Sequence, residues 1–204
     1  MQIMVSIGSS MMDNHVVDQK IMDAFANLAG SYGYKGTTTR KIAQQAGVNE
    51  STIFRHFSGK QGILKALIER YQDEINKAEL SFHTTGNVEM DIRHAISIYQ
   101  YFIEQHKSIF LIALRESSQF PELGQAIQRL LLIQKEMLLK LFRNLIEQGH
   151  LSAQNNLEME ISNLVLMNFS QAVLKLAYPN TSIVISDQDY LDKNIQNFVS
   201  NLKK

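Results

Sequence analysis

The chain has no cysteine among its 204 residues, which excludes disulfides and thiolate metal sites alike. That absence suits a reducing cytoplasm, the expected location. It has no long hydrophobic run either. The most apolar stretch, Ile161 to Ala177, is interrupted by Asn163, Asn168, Gln171 and Lys175, short of the roughly 18–20 apolar residues that a membrane span needs. No membrane partner is expected. Met1 to Ser10 carries no basic leader, so residues 1–14 read as a flexible N-terminal tail.

The signatures of catalysis are missing too. The six histidines, at 15, 56, 83, 94, 106 and 150, form no His-Glu-x-x-His pattern and no helical pair that could hold a metal. Asp91 and His94 stand three apart, a spacing that reads as a solvated pair on a surface helix. Gly8-Ser9-Ser10 is no nucleophile elbow, and Gly30-Ser31-Tyr32-Gly33 lacks the glycine spacing of a phosphate loop. No catalytic residue, metal or cofactor is expected, and the chain does not read as an enzyme.

Net charge is also absent, and the formal sum is zero. The average conceals an asymmetry. His15 to Lys60 sums to +3 and Gln61 to Lys204 to −2, so a small basic head precedes a slightly acidic body. Such a head fits local contact with phosphates.

What the chain does have is helical periodicity. Only two prolines occur, Pro121 and Pro179, and 45% of the residues are apolar. Ile21, Ala24, Phe25 and Leu28 mark one buried helix face. The glycines of Ser31 to Gly36 then break that helix. A short helix capped by Thr37 or Thr38 buries Ile42 and Ala43, and Gly47 ends it. Asn49 can cap another short helix holding Ile53 and Phe57, and a longer helix from Ser58 or Gly59 runs through Ile75. Further helices are predicted at 88–105, 107–118, 122–148, 157–178 and 187–202. The fold class is all-α.

Thr37 to Phe57 is the informative segment. It places two short helices around a turn at Gly47, with Ala43, Val48 and Ile53 spaced to bury the angle between them. That is a helix-turn-helix pattern. A second helix held in this way can enter the major groove and present its N-terminal residues to base edges. Its face offers Asn49, Glu50, Ser51, Thr52, Arg55 and His56.

Ile21 to Leu64 resembles the N-terminal domain of the tetracycline-repressor (TetR-type) family. The resemblance rests on Ile21/Ala24/Phe25, Gly33-Tyr34, Thr37-Thr38, Ile42-Ala43, Ala46-Gly47-Val48, Phe54 with Phe57, Lys60 and Leu64. It implies an N-terminal three-helix DNA-binding domain at 15–60 and a helical ligand-binding and dimerisation domain at 61–204. By position it implies that Thr37, Thr38, Thr52, His56 and Lys60 contact phosphates, and that Asn49, Glu50, Ser51 and Arg55 lie at or near bases. Arg40 and Phe54 complete the expected interface. Three residues depart from the family pattern. Phe54 replaces the usual tyrosine and loses a phenol, Gly59 replaces the Ser or Asn before the lysine and weakens the cap on the next helix, and Glu50 brings a carboxylate toward the bases.

In the second half, Leu123, Ile127, Leu130, Leu131, Met137, Leu138, Leu141 and Leu145 line one face of a long helix. Leu157 to Tyr178 is apolar on nearly every side, so it needs cover from two directions. A homodimer through the helices near 157–178 and 187–202 supplies it, the latter through Leu191, Ile195, Phe198, Val199 and Leu202; a compact monomer core is the alternative. Tyr99, Phe102, Phe110, Arg115, Met137, Met167 and Gln171 are candidates for a small-molecule effector pocket. Together these readings describe a ligand-responsive repressor on a double-stranded palindromic operator. The rival reading is a helical interaction module whose helix-turn-helix does not bind DNA.

Overall fold

Helix succeeds helix because little in this sequence stops one. The computed structural model describes the backbone at 2–80, 82–151, 156–183 and 185–202, and the side chains at 14–77, 82–151, 156–183 and 185–200. Among the described residues there is no strand. The helices are α1 (Gln2–Gly36), α2 (Thr39–Ala46), α3 (Glu50–Phe57), α4 (Lys60–Leu80), α5 (Val88–Gln105), α6 (Lys107–Glu116), α7 (Pro121–Glu147) and α8 (Leu157–Ala177). A short α9 (Asp187–Asp189) passes through a π-helical turn at Tyr190–Asn194 into α10 (Ile195–Leu202). The bounds predicted for the later helices lie within two residues of these. The expected tail at 1–14 instead carries helical backbone from Gln2, since no proline and only Gly8 interrupt that stretch.

The chain divides into two compact units, residues 1–73 with 108–124, and residues 74–107 with 125–204. The sequence boundary at residue 60 falls inside the first unit, because Ile63, Leu64 and Leu67 are fully buried in its core with Ile21, Phe25, Ile42 and Ile53. Fully burying one such side chain contributes roughly 1.5–3 kcal/mol. Residues 108–124 join the same unit through aromatic packing. The Tyr34 ring meets Phe25 at 6.1 Å and Phe120 at 4.4 Å, both edge-on. Glu116 Oε1 accepts the Tyr34 backbone N–H at 3.2 Å.

The second unit buries the face of α7 that the leucine spacing predicts. Met137, Leu138, Leu141, Phe142 and Leu145 pack with Ile92 and Ile96 of α5, Ile161 and Leu164 of α8, and Ile195 and Val199 of α10. The side chain of Leu202 lies outside the described residues. Asp91 is not the solvated residue its spacing suggested. It is buried, and its carboxylate accepts from Thr85 N–H at 2.8 Å, Thr85 Oγ1 at 2.7 Å and Gly86 N–H at 3.0 Å. His94 stays exposed beside the Phe82 ring.

Candidate nucleic-acid interface

The interface is built on a turn that only a left-handed backbone can make. Gly47 has φ 69° and ψ 34°, and its N–H reaches the carbonyls of Ala43 and Gln44. Glycine adopts this conformation without steric cost. Beyond the turn, α3 anchors through Ile53, which is fully buried. A second steric condition fixes the far end of α3. A Cβ placed on Gly62 would collide with the Phe57 carbonyl oxygen, so the approach of α4 to α3 requires a glycine there.

With Ile53 turned inward, α3 turns Glu50, Ser51, Phe54 and Arg55 to solvent, and Thr52 is half-buried. Phe54 is 53% exposed, a large apolar group held in water. Asn49 occupies the N-cap of α3, but its side chain makes no capping hydrogen bond. Thr38 does cap α2, where its Oγ1 accepts the Lys41 N–H at 3.3 Å. Arg40 and Lys41 are exposed on α2, and Lys41 Nζ donates to the Gly36 carbonyl at 3.0 Å.

Apart from the capping Thr38 and from Arg55, which contacts His56, four of the expected contact residues already have protein partners. Thr37 is fully buried and its hydroxyl donates to the Gly33 carbonyl at 2.9 Å. It therefore belongs to the core, and Thr38 alone of the pair reaches the surface. Lys60 is likewise turned inward. Its ammonium donates to the carbonyls of Tyr34 at 2.7 Å and Thr37 at 2.8 Å, and lies 4.0 Å from the Tyr34 ring centroid. Desolvation holds the Lys60 pKa below its ordinary value, with Glu116 opposing that shift. Burial raises the Tyr34 pKa, and the carboxylates of Glu122 and Glu116 add to the rise.

Glu50 and His56 are the other two. Glu50 Oε1 accepts from Thr39 Oγ1 at 2.5 Å, joining the first turn of α3 to the first residue of α2. Its charge also favours the positive end of the α3 dipole. His56 Nδ1 lies 2.6 Å from Asp18 Oδ1 of α1, and Arg55 Nη2 lies 3.3 Å from His56 Nε2. The tautomer with Nδ1–H facing Asp18 satisfies both contacts, leaving Nε2 to accept from arginine. Gly59, expected to weaken the cap, adopts φ 114° and accepts the Ile63 N–H through its carbonyl.

The candidate effector residues separate. Tyr99, Phe102 and Met137 line one cleft of the second unit, where Gln134 joins them. Sequence reasoning missed Gln134, although it stands four residues after Leu130 and three before Met137, on the buried face of α7. Gln171 lines a second cleft and donates to the Ile185 carbonyl at 2.7 Å. Met167 is 38% exposed. Phe110 and Arg115 belong to the first unit, where the Arg115 guanidinium donates to the Gly30 carbonyl at 3.2 Å.

Residues 21–67 match the model of the bacterial regulatory proteins of the tetR family. The chain is 30% identical over 141 residues to the HTH-type transcriptional regulator YvkB of Bacillus subtilis (strain 168), covering 69% of this chain and 74% of that one. It is 37% identical over 49 residues to the class D tetracycline repressor protein of Escherichia coli, 24% and 22% of the two chains. Its fold is similar to that of the fatty acid degradation regulator FadR from Bacillus halodurans, with TM-score 0.68 and 15% identity over 89% of this chain and 93% of that one. These relatives are described as a transcriptional regulator and a repressor, not as enzymes. The chain belongs to the TetR family of bacterial transcriptional regulators.

Proposed function

We propose that this regulator is a cytoplasmic repressor, bound as a homodimer to a palindromic operator and released by a small-molecule effector. The observation that carries the reading is the exposed face of α3. Glu50, Ser51 and Arg55 project there beside the N-cap residue Asn49, on a helix anchored by Ile53. In the major groove such a helix reads base edges through Asn49, Ser51 and Arg55, while Thr38 and Arg40 meet phosphates. Glu50 and His56 act mainly as positioning residues in this reading, through Thr39 and Asp18. Lys60 supports the turn beneath them.

The dimer reading rests on apolar surface. On α8, Met159, Leu166 and Met167 are 55%, 56% and 38% exposed, at a spacing of seven and eight residues that keeps them on one helix face. A second copy would cover that stripe, with α10 beside it. Two heads then meet half-sites about one helical turn, or a multiple, apart. An effector that prefers a different separation of the heads draws the population away from DNA, and a coupling of about 1–3 kcal/mol loosens binding roughly five- to 150-fold.

Footprinting on duplexes selected from a random library tests the assembly. The expected outcome is two-fold symmetric protection, lost together with the dimer in Leu166→Glu. Protection of a single half-site by a monomer would overturn it.

A further inference from the structure

We infer that the cleft holding Tyr99 and Gln134 binds an uncharged, largely apolar small molecule with one group that both donates and accepts hydrogen bonds, such as a carboxamide, alcohol or phenol. The inference rests on the effector reading above and specifies the chemistry that the effector must have. Gln134 is 2% exposed and Tyr99 is 3% exposed. Among the described residues, neither the nitrogen nor the oxygen of the Gln134 amide has a hydrogen-bond partner, and the Tyr99 hydroxyl has none either. Both residues line the same cleft, whose other walls include Ile98, Phe102, Ile133 and Met137.

Buried polar atoms left unpaired are costly, and their retention points to a partner that arrives from outside the chain. The three open positions are an amide N–H donor, an amide oxygen acceptor and a phenol O–H, and because the surface the cleft now presents is almost wholly apolar, a guest reaches them as the cleft widens. Burial pushes the Tyr99 pKa up, so the phenol keeps its proton to donate. A guest with an oxygen and a polar hydrogen on one group answers these positions.

The walls also say what is refused. Among the described residues, no Lys, Arg, Asp or Glu lines the cleft. A carboxylate would be buried without a counter-charge and would bring no proton to the Gln134 oxygen. An ammonium group would meet the same desolvation cost. A plain hydrocarbon would fill the space and leave the three positions open. As it stands the cleft has room for about one water, so a larger guest must widen it. The unbranched Met137 can re-pack to allow this. A guest that selects the widened state has the differential affinity that a switch requires.

The test uses the full chain and three probes of one shape, 4-propylbenzamide, 4-propylbenzoate and 4-propyltoluene, titrated calorimetrically. The benzamide is expected to bind about tenfold or more tighter than either of the others. Gln134→Met is expected to fold, to melt no lower than the wild type, and to lose the preference for the amide while keeping its affinity for the toluene. Tyr99→Phe should reduce the same preference severalfold. Tightest binding of the benzoate, equal binding of all three, or an unchanged preference in Gln134→Met would each overturn the inference. So would an absence of binding with a lowered melting temperature in Gln134→Met, since the amide would then be serving the fold. Benzamide binding with the expected preferences but no change in operator affinity would uphold the ligand class and overturn only the effector reading.

Discussion

Beneath α2 and α3 in the first unit, polar groups leave solvent with partners already in place. Thr37 gives its hydroxyl to Gly33, and Lys60 gives its ammonium to Tyr34 and Thr37. In the second unit, Tyr99, Gln134, Asn168 and Tyr190 each bury a polar atom that has no partner among the described residues. Under the proposed function, the two regions bury polarity for different ends. A surface that must dock on a duplex of fixed geometry gains from a rigid, fully satisfied support. A region that receives a guest keeps groups in reserve, at a cost in stability.

The largest expected effect tests the rigid side of this comparison. Gly62→Ala puts a methyl against the Phe57 carbonyl, and should destabilise the first unit by about 3 kcal/mol or more. Denaturant unfolding would register the loss, and a change below about 1 kcal/mol would show that the α3–α4 junction yields. Lys60→Met should come next, costing roughly 1.5–3 kcal/mol because two carbonyls lose a charged donor. Its salt dependence of DNA binding should stay unchanged, whereas a phosphate contact would lower the slope by about one.

A matched pair sharpens the contrast directly. Thr37→Val and Tyr99→Phe each delete one buried hydroxyl. The first should cost about 1 kcal/mol and the second should be neutral within about 0.5 kcal/mol, or slightly stabilising. Equal losses in thermal or denaturant melts would erase the distinction between the units. The smallest effect belongs to Phe54, already exposed on α3. Phe54→Tyr should leave stability unchanged and tighten DNA binding by roughly two- to tenfold through one added hydrogen bond, as read by fluorescence anisotropy.

Much of the fold was legible because its cues are local. Gly47 marked the turn, Ile42, Ala43 and Ile53 marked the faces that meet, and leucine spacing marked α7 closely. Thr37 and Thr38 show where such cues end. Either can cap a helix on sequence grounds, and only the folded turn shows that Thr38 caps while Thr37 is buried. Lys60 is a related case. The family resemblance implies a phosphate contact for it by position, whereas the direction its side chain takes here depends on the carbonyls of Tyr34 and Thr37, which carry no local signature. The place of residues 108–124 beside Tyr34 was illegible, because a contact between Phe120 and Tyr34 has no local signature. Gln134 was partly legible, as an amide at a position that the α7 pattern reserves for an apolar residue.

The central claim is that α3 reads DNA, and its most direct test is a salt titration of binding to duplexes selected from a random library, with wild type and Arg55→Ala. The account predicts sequence-preferring binding that weakens with salt, and for Arg55→Ala a lower affinity with relaxed preference at one position in each half-site. Failure to enrich any sequence, or enrichment that Arg55→Ala leaves unchanged in affinity and preference, would contradict it.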